Sequence, residues 1–267
     1  MDENTIFDEA REAVADVLPR VTALLRSVDT SPRSAVGHWD VPDVACHLSH
    51  VVEVDTAVLE GRPVHEMEPT PTGAAAWTTS MLSADPERSL APLADRIDAL
   101  GAAFLDSRPP AGTVRWIGGV DLARSAVACH LLAELLVHGH DIARAAPAPW
   151  RIRPAHAALA VVGGGIPIIN ACPDLWVRHP VDPTRRARVE LHLRGYDRFT
   201  LTLDQRLTAE LPPAGGADAH LSIAADQALL IFFGRRSPWR VAASGRAYVW
   251  GRRPLALLTL LDSITSP

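Results

Sequence analysis

Three residues carry the sharpest chemical suggestion in this chain. In the stretch Ala133-Glu134-Leu135-Leu136-Val137-His138-Gly139-His140-Asp141-Ile142-Ala143-Arg144, a glutamate and a histidine stand four positions apart. On a helix that spacing puts Glu134 and His138 on one face, a turn from each other. The face is apolar, because Val127, Leu131, Leu135 and Ile142 fall on the same stripe. Burying a carboxylate or an imidazole without a partner costs on the order of several kcal/mol. A divalent ion would offset that cost, since an i, i+4 pair supplies two ligands of a zinc-type site that draws a third from elsewhere. The best third ligand is His47, in Trp39-Asp40-Val41-Pro42-Asp43-Val44-Ala45-Cys46-His47-Leu48. It lies three residues after Val44 and four before Val51, so it too faces the core of an apolar helix. The competing reading is a hydrogen-bonded polar cluster, which is what most inward histidines are.

Neighbouring residues are secondary candidates. Asp141 is a candidate catalytic residue, either accepting a hydrogen bond from an imidazole N–H and fixing its tautomer or sitting solvated at the helix end. His50, one turn after His47, is a candidate cofactor-binding residue at a pocket rim, or an exposed helix histidine. His130 precedes Glu134 by a turn, but successive i+4 steps drift about 40° around a helix, which points it to a supporting or core role. Cys46 and Cys129 sit beside histidines in sequence, yet adjacent helix positions diverge by about 100°, so both read as small core residues.

The elements that must position these residues are helices. Residues 4–28 form an amphipathic helix, Thr30–Ser34 a turn, and Asp40 caps a second helix ending at Gly61. The Pro- and Thr-rich segment 63–73 reads as a loop over the bundle. A third helical region spans about 74–107, interrupted near Pro86 and Pro92, and the helix bearing Glu134 begins near Val120. Four helices with modest connections argue for a bundle, whose metal sites form from inward side chains on facing helices.

Ala146-Pro147-Ala148-Pro149-Trp150 reads as an exposed boundary, dividing the chain into residues 1–150 and 151–267. The second part opens with a short helix over 154–170. Alternating strands follow at 188–194 and 198–203, joined by Gly195-Tyr196-Asp197. A strand at 220–223, a helix at 227–233, strands at 239–243 and 247–250, and a closing helix at 255–264 complete an α+β pattern. The fold class is therefore mixed: an α domain followed by a small α+β domain.

Composition narrows the function classes. All 26 basic residues are arginine, and net charge splits as −11 over residues 1–150 and +6 over 151–267. A basic second domain could draw a carboxylate-bearing small molecule into a cleft, or could simply be solvated. No basic–aromatic run suggests nucleic acid. The weakly charged stretch 154–173 is broken by three glycines and Pro167, a poor membrane span. The acidic start lacks a signal-peptide layout, and three cysteines suggest no disulfide framework, so a cytoplasmic protein is expected.

The segments W-D-V-P-D-V-A-C-H-L (39–48) and E-L-L-V-H-G-H-D-I-A-R-A (134–145) resemble the signature of the mycothiol-dependent maleylpyruvate isomerase family. The resemblance implies a DinB-like four-helix bundle joined to a sterol-carrier-like α+β domain, with a divalent metal, zinc foremost, held by His47, Glu134 and His138. It implies mycothiol as a low-molecular-weight thiol and a small electrophile as substrate. The thiolate either isomerises a cis double bond by addition and elimination or is transferred to the substrate. An arginine of the second domain is implied to contact substrate or thiol. Arg235, as a candidate catalytic residue, and Arg236, as a cofactor-binding one, occupy the matching region, where an arginine at a helix C-terminus is the alternative. His140 departs from the family, many of whose members carry tryptophan there, and this bears on pocket shape. Abundant Ala and Arg fit a GC-rich, actinobacterial source. Two other classes remain open: a metal-dependent hydrolase and a non-catalytic small-molecule binder.

Overall fold

The computed structural model describes residues 2–28, 34–178, 182, 184–213 and 215–265, which fall into two compact units. The first comprises residues 1–67 and 75–152, the second 68–74 and 153–267. Residues 30–33, expected to form a turn, lie outside the described residues.

Four helices build the first unit's core: α1 (Glu3–Ser27), α2 (Val41–Leu59), α4 (Leu90–Asp106) and α5 (Arg124–Ala145). Each packs on two others, α1 and α2 both meeting α4 and α5. Local chemistry sets the start of α2. Asp43 N–H donates to Asp40 Oδ1 at 2.9 Å, Asp40 N–H donates back to Asp43 Oδ2 at 3.3 Å, and Pro42 occupies the first turn, where no N–H is needed. Gly61, at φ +69°, then takes the left-handed turn that ends the helix.

The third helical region is two helices, with α3 (Pro71–Ala84) separated from α4 at Asp85-Pro86. Pro92 does not break α4, because it falls in the first turn. Residues 68–74 belong to the second unit rather than to a loop over the bundle, and Pro71 already opens α3. The Glu134 helix starts at Arg124, not Val120, because β1 (Thr113–Arg115) and β2 (Asp121–Ala123) form a hairpin just before it. Gly119 (φ +68°) lies in the turn, and the buried Trp116 ring anchors it.

The second unit opens with α6 (Pro154–Leu159), a π-helical turn over Ala160–Gly165, and α7 (Ile166–Ala171). By length and hydropathy this continuous stretch would suffice to cross a bilayer, which the sequence reading discounted; half of it is buried inside the protein. Packing against α8 (Ala225–Phe232) by α6, and against β5 (Arg206–Glu210) by α7, accounts for the burial. The sheet runs β5-β4-β3-β6-β7, with β3 at Ala187–Leu193, β4 at Arg198–Asp204, β6 at Ala219–Ile223 and β7 at Ala247–Trp250. All neighbours are antiparallel except β3 and β6. Leu191, Leu201, Leu221 and Val249 share one face and line an apolar cavity with residues of α8, α9 (Pro238–Ala243) and α10 (Ala256–Ser263). Residues 238–243 are helical, not a strand as expected. Ser237 stands at the cap and Pro238 at the first helical position, a start signal stronger than the short apolar run that followed it.

Candidate metal centre

The packed pair α2 and α5 brings His47, Glu134 and His138 together. His47 Nε2 and His138 Nε2 each lie 3.2 Å from the same oxygen, Glu134 Oε2. One potential ligand atom from each residue lies within 4.8 Å of the others, and the two imidazoles meet edge to face at 4.9 Å. Glu134 and His138 are buried at 8% and 5% exposure, while His47 is partly open. The Trp39 ring, 5.1 Å away, rests against His47.

Electrostatics act on the three groups in different directions. Burial alone would push the Glu134 carboxyl up, but hydrogen bonds from His138 and His47 reverse this and hold it well below the usual range. Burial pushes His47 down, favouring the neutral ring. Burial also acts to lower His138, yet contact with Asp141 and Glu134 raises it overall. His138 Nδ1 donates to Asp141 Oδ2 at 3.1 Å. In the neutral ring this leaves the Nε2 lone pair facing Glu134 and His47, the outer carboxylate's usual service to a metal-bound histidine. Two imidazoles and a carboxylate fit a borderline-soft divalent ion such as zinc, with positions left for a small molecule.

Asp141, with no exposed surface, is therefore a buried partner of His138 rather than a solvated helix end. His130 takes a supporting place. Its Nδ1 pairs with the buried Asp55 Oδ2 at 2.8 Å, its Nε2 stands 3.7 Å from Glu134 Oε1, and Trp116 packs edge-on at 5.3 Å. Burial opposes protonation, but the Asp55 carboxylate overrides it and raises His130 to about 9. Sequence reading missed Asp55; its signal was a carboxylate four residues after Val51 and three before Val58, on the apolar stripe of the helix.

His50 is neither exposed nor aimed at the triad. It is buried, and its Nε2 meets Asp85 Oδ2 at 2.9 Å. Arg96 holds the same carboxylate, and Arg88 donates to Cys46 Sγ at 3.5 Å. Cys46, His50 and Asp85 converge, with the Arg96 guanidinium on the Asp85 carboxylate and the Arg88 guanidinium on the thiol. Arg235 and Arg236 lie in the second unit, where both N–H groups donate to the Leu230 carbonyl beyond the α8 end. The Arg235 side chain donates to the Phe233 carbonyl, and Arg236 is exposed. Both sit as helix-terminal arginines do. The three cysteines are buried, and burial pushes each thiol up, Cys172 to about 11.

Fold and site together define a class: a helical bundle with a metal-competent His–Glu–His core, followed in the chain by a small sheet unit. The family model described as the mycothiol maleylpyruvate isomerase N-terminal domain matches residues 10–143, and the chain belongs to that family. The fold is similar to the crystal structure of the mycothiol-dependent maleylpyruvate isomerase at a TM-score of 0.54 and 13% identity, covering 87% of this chain and 90% of that one. A histidine-to-alanine mutant of such an isomerase matches at a TM-score of 0.54, 14% identity, and coverage of 86% and 90%. No curated protein matches the chain.

Proposed function

We propose that this protein is a metal-dependent enzyme that uses an external thiol, mycothiol, on a small electrophile, with isomerisation of a maleylpyruvate-like cis double bond as the leading reaction and thiol transfer as its variant. The observation that carries the metal reading is the convergence of His47 Nε2 and His138 Nε2 at 3.2 Å on one oxygen of Glu134. A divalent ion bound there would acidify a thiol delivered to it. The chain's own residues do the rest. Glu134 stays ionised, Asp141 fixes the His138 ring, and the less buried His47 marks the side open to small molecules. The nucleophile must come from outside, because all three cysteines are buried with raised thiols.

The test compares metal-loaded protein with and without mycothiol on maleylpyruvate and on a thiol acceptor. Turnover requiring the thiol and rising with pH supports the proposal. Full turnover in thiol-free buffer would replace it with the hydrolase reading. Separately, His47→Ala and His138→Ala should each bind one equivalent of metal fewer than the unsubstituted chain while circular dichroism stays helical. An unchanged metal equivalence in both would return the trio to a core polar cluster.

A further inference from the structure

The polar face of the five-stranded sheet carries a second constellation of the same chemical type. Glu190 and His192 alternate on β3, so both point to the same side. His220 on β6 sits in direct register with Glu190 across the parallel pair. His192 Nε2 lies 2.8 Å from Glu190 Oε1, and His220 Nδ1 lies 3.7 Å from Glu190 Oε2. One donor atom from each of the three falls within 4.8 Å of the others.

We propose that Glu190, His192 and His220 form a second divalent transition-metal site, of the zinc class, within the sheet unit. Two observations carry it besides proximity. His192 Nε2 and His220 Nδ1 are both buried atoms without a hydrogen-bond partner. His192 Nε2 and His220 Nδ1 approach different oxygens of the one Glu190 carboxylate, so the two rings share it. Glu190 is itself buried at 8% exposure, deep for a carboxylate. The second observation is the aromatic clamp. Trp250 stacks on His220 at 5.2 Å with a 12° interplanar angle and meets His192 edge-on at 5.0 Å, holding both rings.

Thr200 lies opposite Glu190 on β4, and its buried hydroxyl has no hydrogen-bond partner. The rival cation is Arg198, whose Nη1 stands 3.7 Å from Glu190 Oε1. Its side chain is 61% exposed and can leave for solvent. An imidazole–carboxylate donor set favours zinc, copper or nickel over magnesium or calcium.

The experiment uses the full chain, stripped with a chelator, dialysed against zinc and assayed for metal per chain by mass spectrometry. Two equivalents are expected. The double variant His192→Gln/His220→Gln should keep one equivalent, and His47→Ala should keep the other. A single equivalent that disappears in His47→Ala and survives the glutamine pair overturns the sheet site. A single equivalent with the opposite behaviour supports it and removes the bundle site instead. No bound equivalent overturns both. Should the glutamine pair misfold, copper-catalysed oxidation of the unsubstituted chain decides. Modified His192 and His220 support the site, and oxidation confined to His47 and His138 overturns it.

Discussion

At the scale of single residues, the centre is a set of charges holding one another in place. Asp141 is the residue that most directly controls His138, through its 3.1 Å hydrogen bond to Nδ1. Asp141→Asn leaves the shape nearly unchanged but lets the amide donate where a carboxylate could only accept. Zinc affinity in a competition titration should fall about 10- to 100-fold, the usual cost of losing such an outer partner. A change of less than twofold would mean that Asp141 serves folding alone. His47, Glu134 and His138 could be aimed at one another from helical spacing and the apolar stripes, whereas Asp141 stood between an imidazole partner and a solvated helix end until packing buried it against His138. Asp55 was not legible, since its partner His130 is 75 residues away and only packing of α2 against α5 joins them. His50 misled for the same reason: Asp85, 35 residues on, turns it from a rim residue into a buried partner.

At the scale of elements, two contacts explain features that the sequence displays without reason. Gly139 sits in α5, where glycine weakens a helix, but a Cβ there would overlap the Trp150 ring. Trp150 Nε1 donates to the Leu136 carbonyl at 3.1 Å, and the Arg20 guanidinium stacks over the ring at 4.6 Å. Gly139→Ala should therefore cost about 1–3 kcal/mol, read as a melting temperature lowered by several degrees. An unchanged or raised melting point would show that the ring simply moves aside. The break between α3 and α4 is the second case. Asp85 is held well below the usual carboxylate range chiefly by Arg96, against the effect of burial, with the Glu87 N–H and His50 assisting. A depressed carboxyl stabilises above its unfolded value, about 3.8, and loses that contribution as pH falls through the folded one. Wild-type chain should thus outlast Asp85→Asn at pH 5–7, with the gap closing on acidification, as urea melts at several pH values would reveal. A gap that widens in acid contradicts the pairing. Caps and hydrophobic stripes made α1, α2 and α5 readable. The β1–β2 hairpin and β5 escaped because each is short and depends on its neighbour, while α9 escaped because an apolar pentapeptide has no decisive period.

At the scale of the whole chain, the two units were foreseeable from the change of pattern near residue 150, but the character of the boundary was not. Residues 146–152 belong to the bundle unit, and the Trp150 side chain is fastened to α5 and α1. A fragment of residues 1–152 should therefore melt higher than one of residues 1–146, with calorimetry of the two as the check. Equal melting points would make the segment a plain connector. Residues 68–74, far upstream, count with the second unit, a partition that no local composition announces.

The parallel pairing of β3 with β6 also sets an order in time. β3, β4 and β5 follow one another as an antiparallel meander, so they can zip with short loops. β6 must instead return past both to lie along the free side of β3, and β7 adds only after it. Closing that longer loop is the slower event, since its entropy is lost before any pairing compensates. Amides of the β3–β4 ladder should gain protection early in refolding, and those of β6 and β7 late. His220 would then reach Glu190 and His192 only in the last stage, and the sheet could take up an ion only once it is complete.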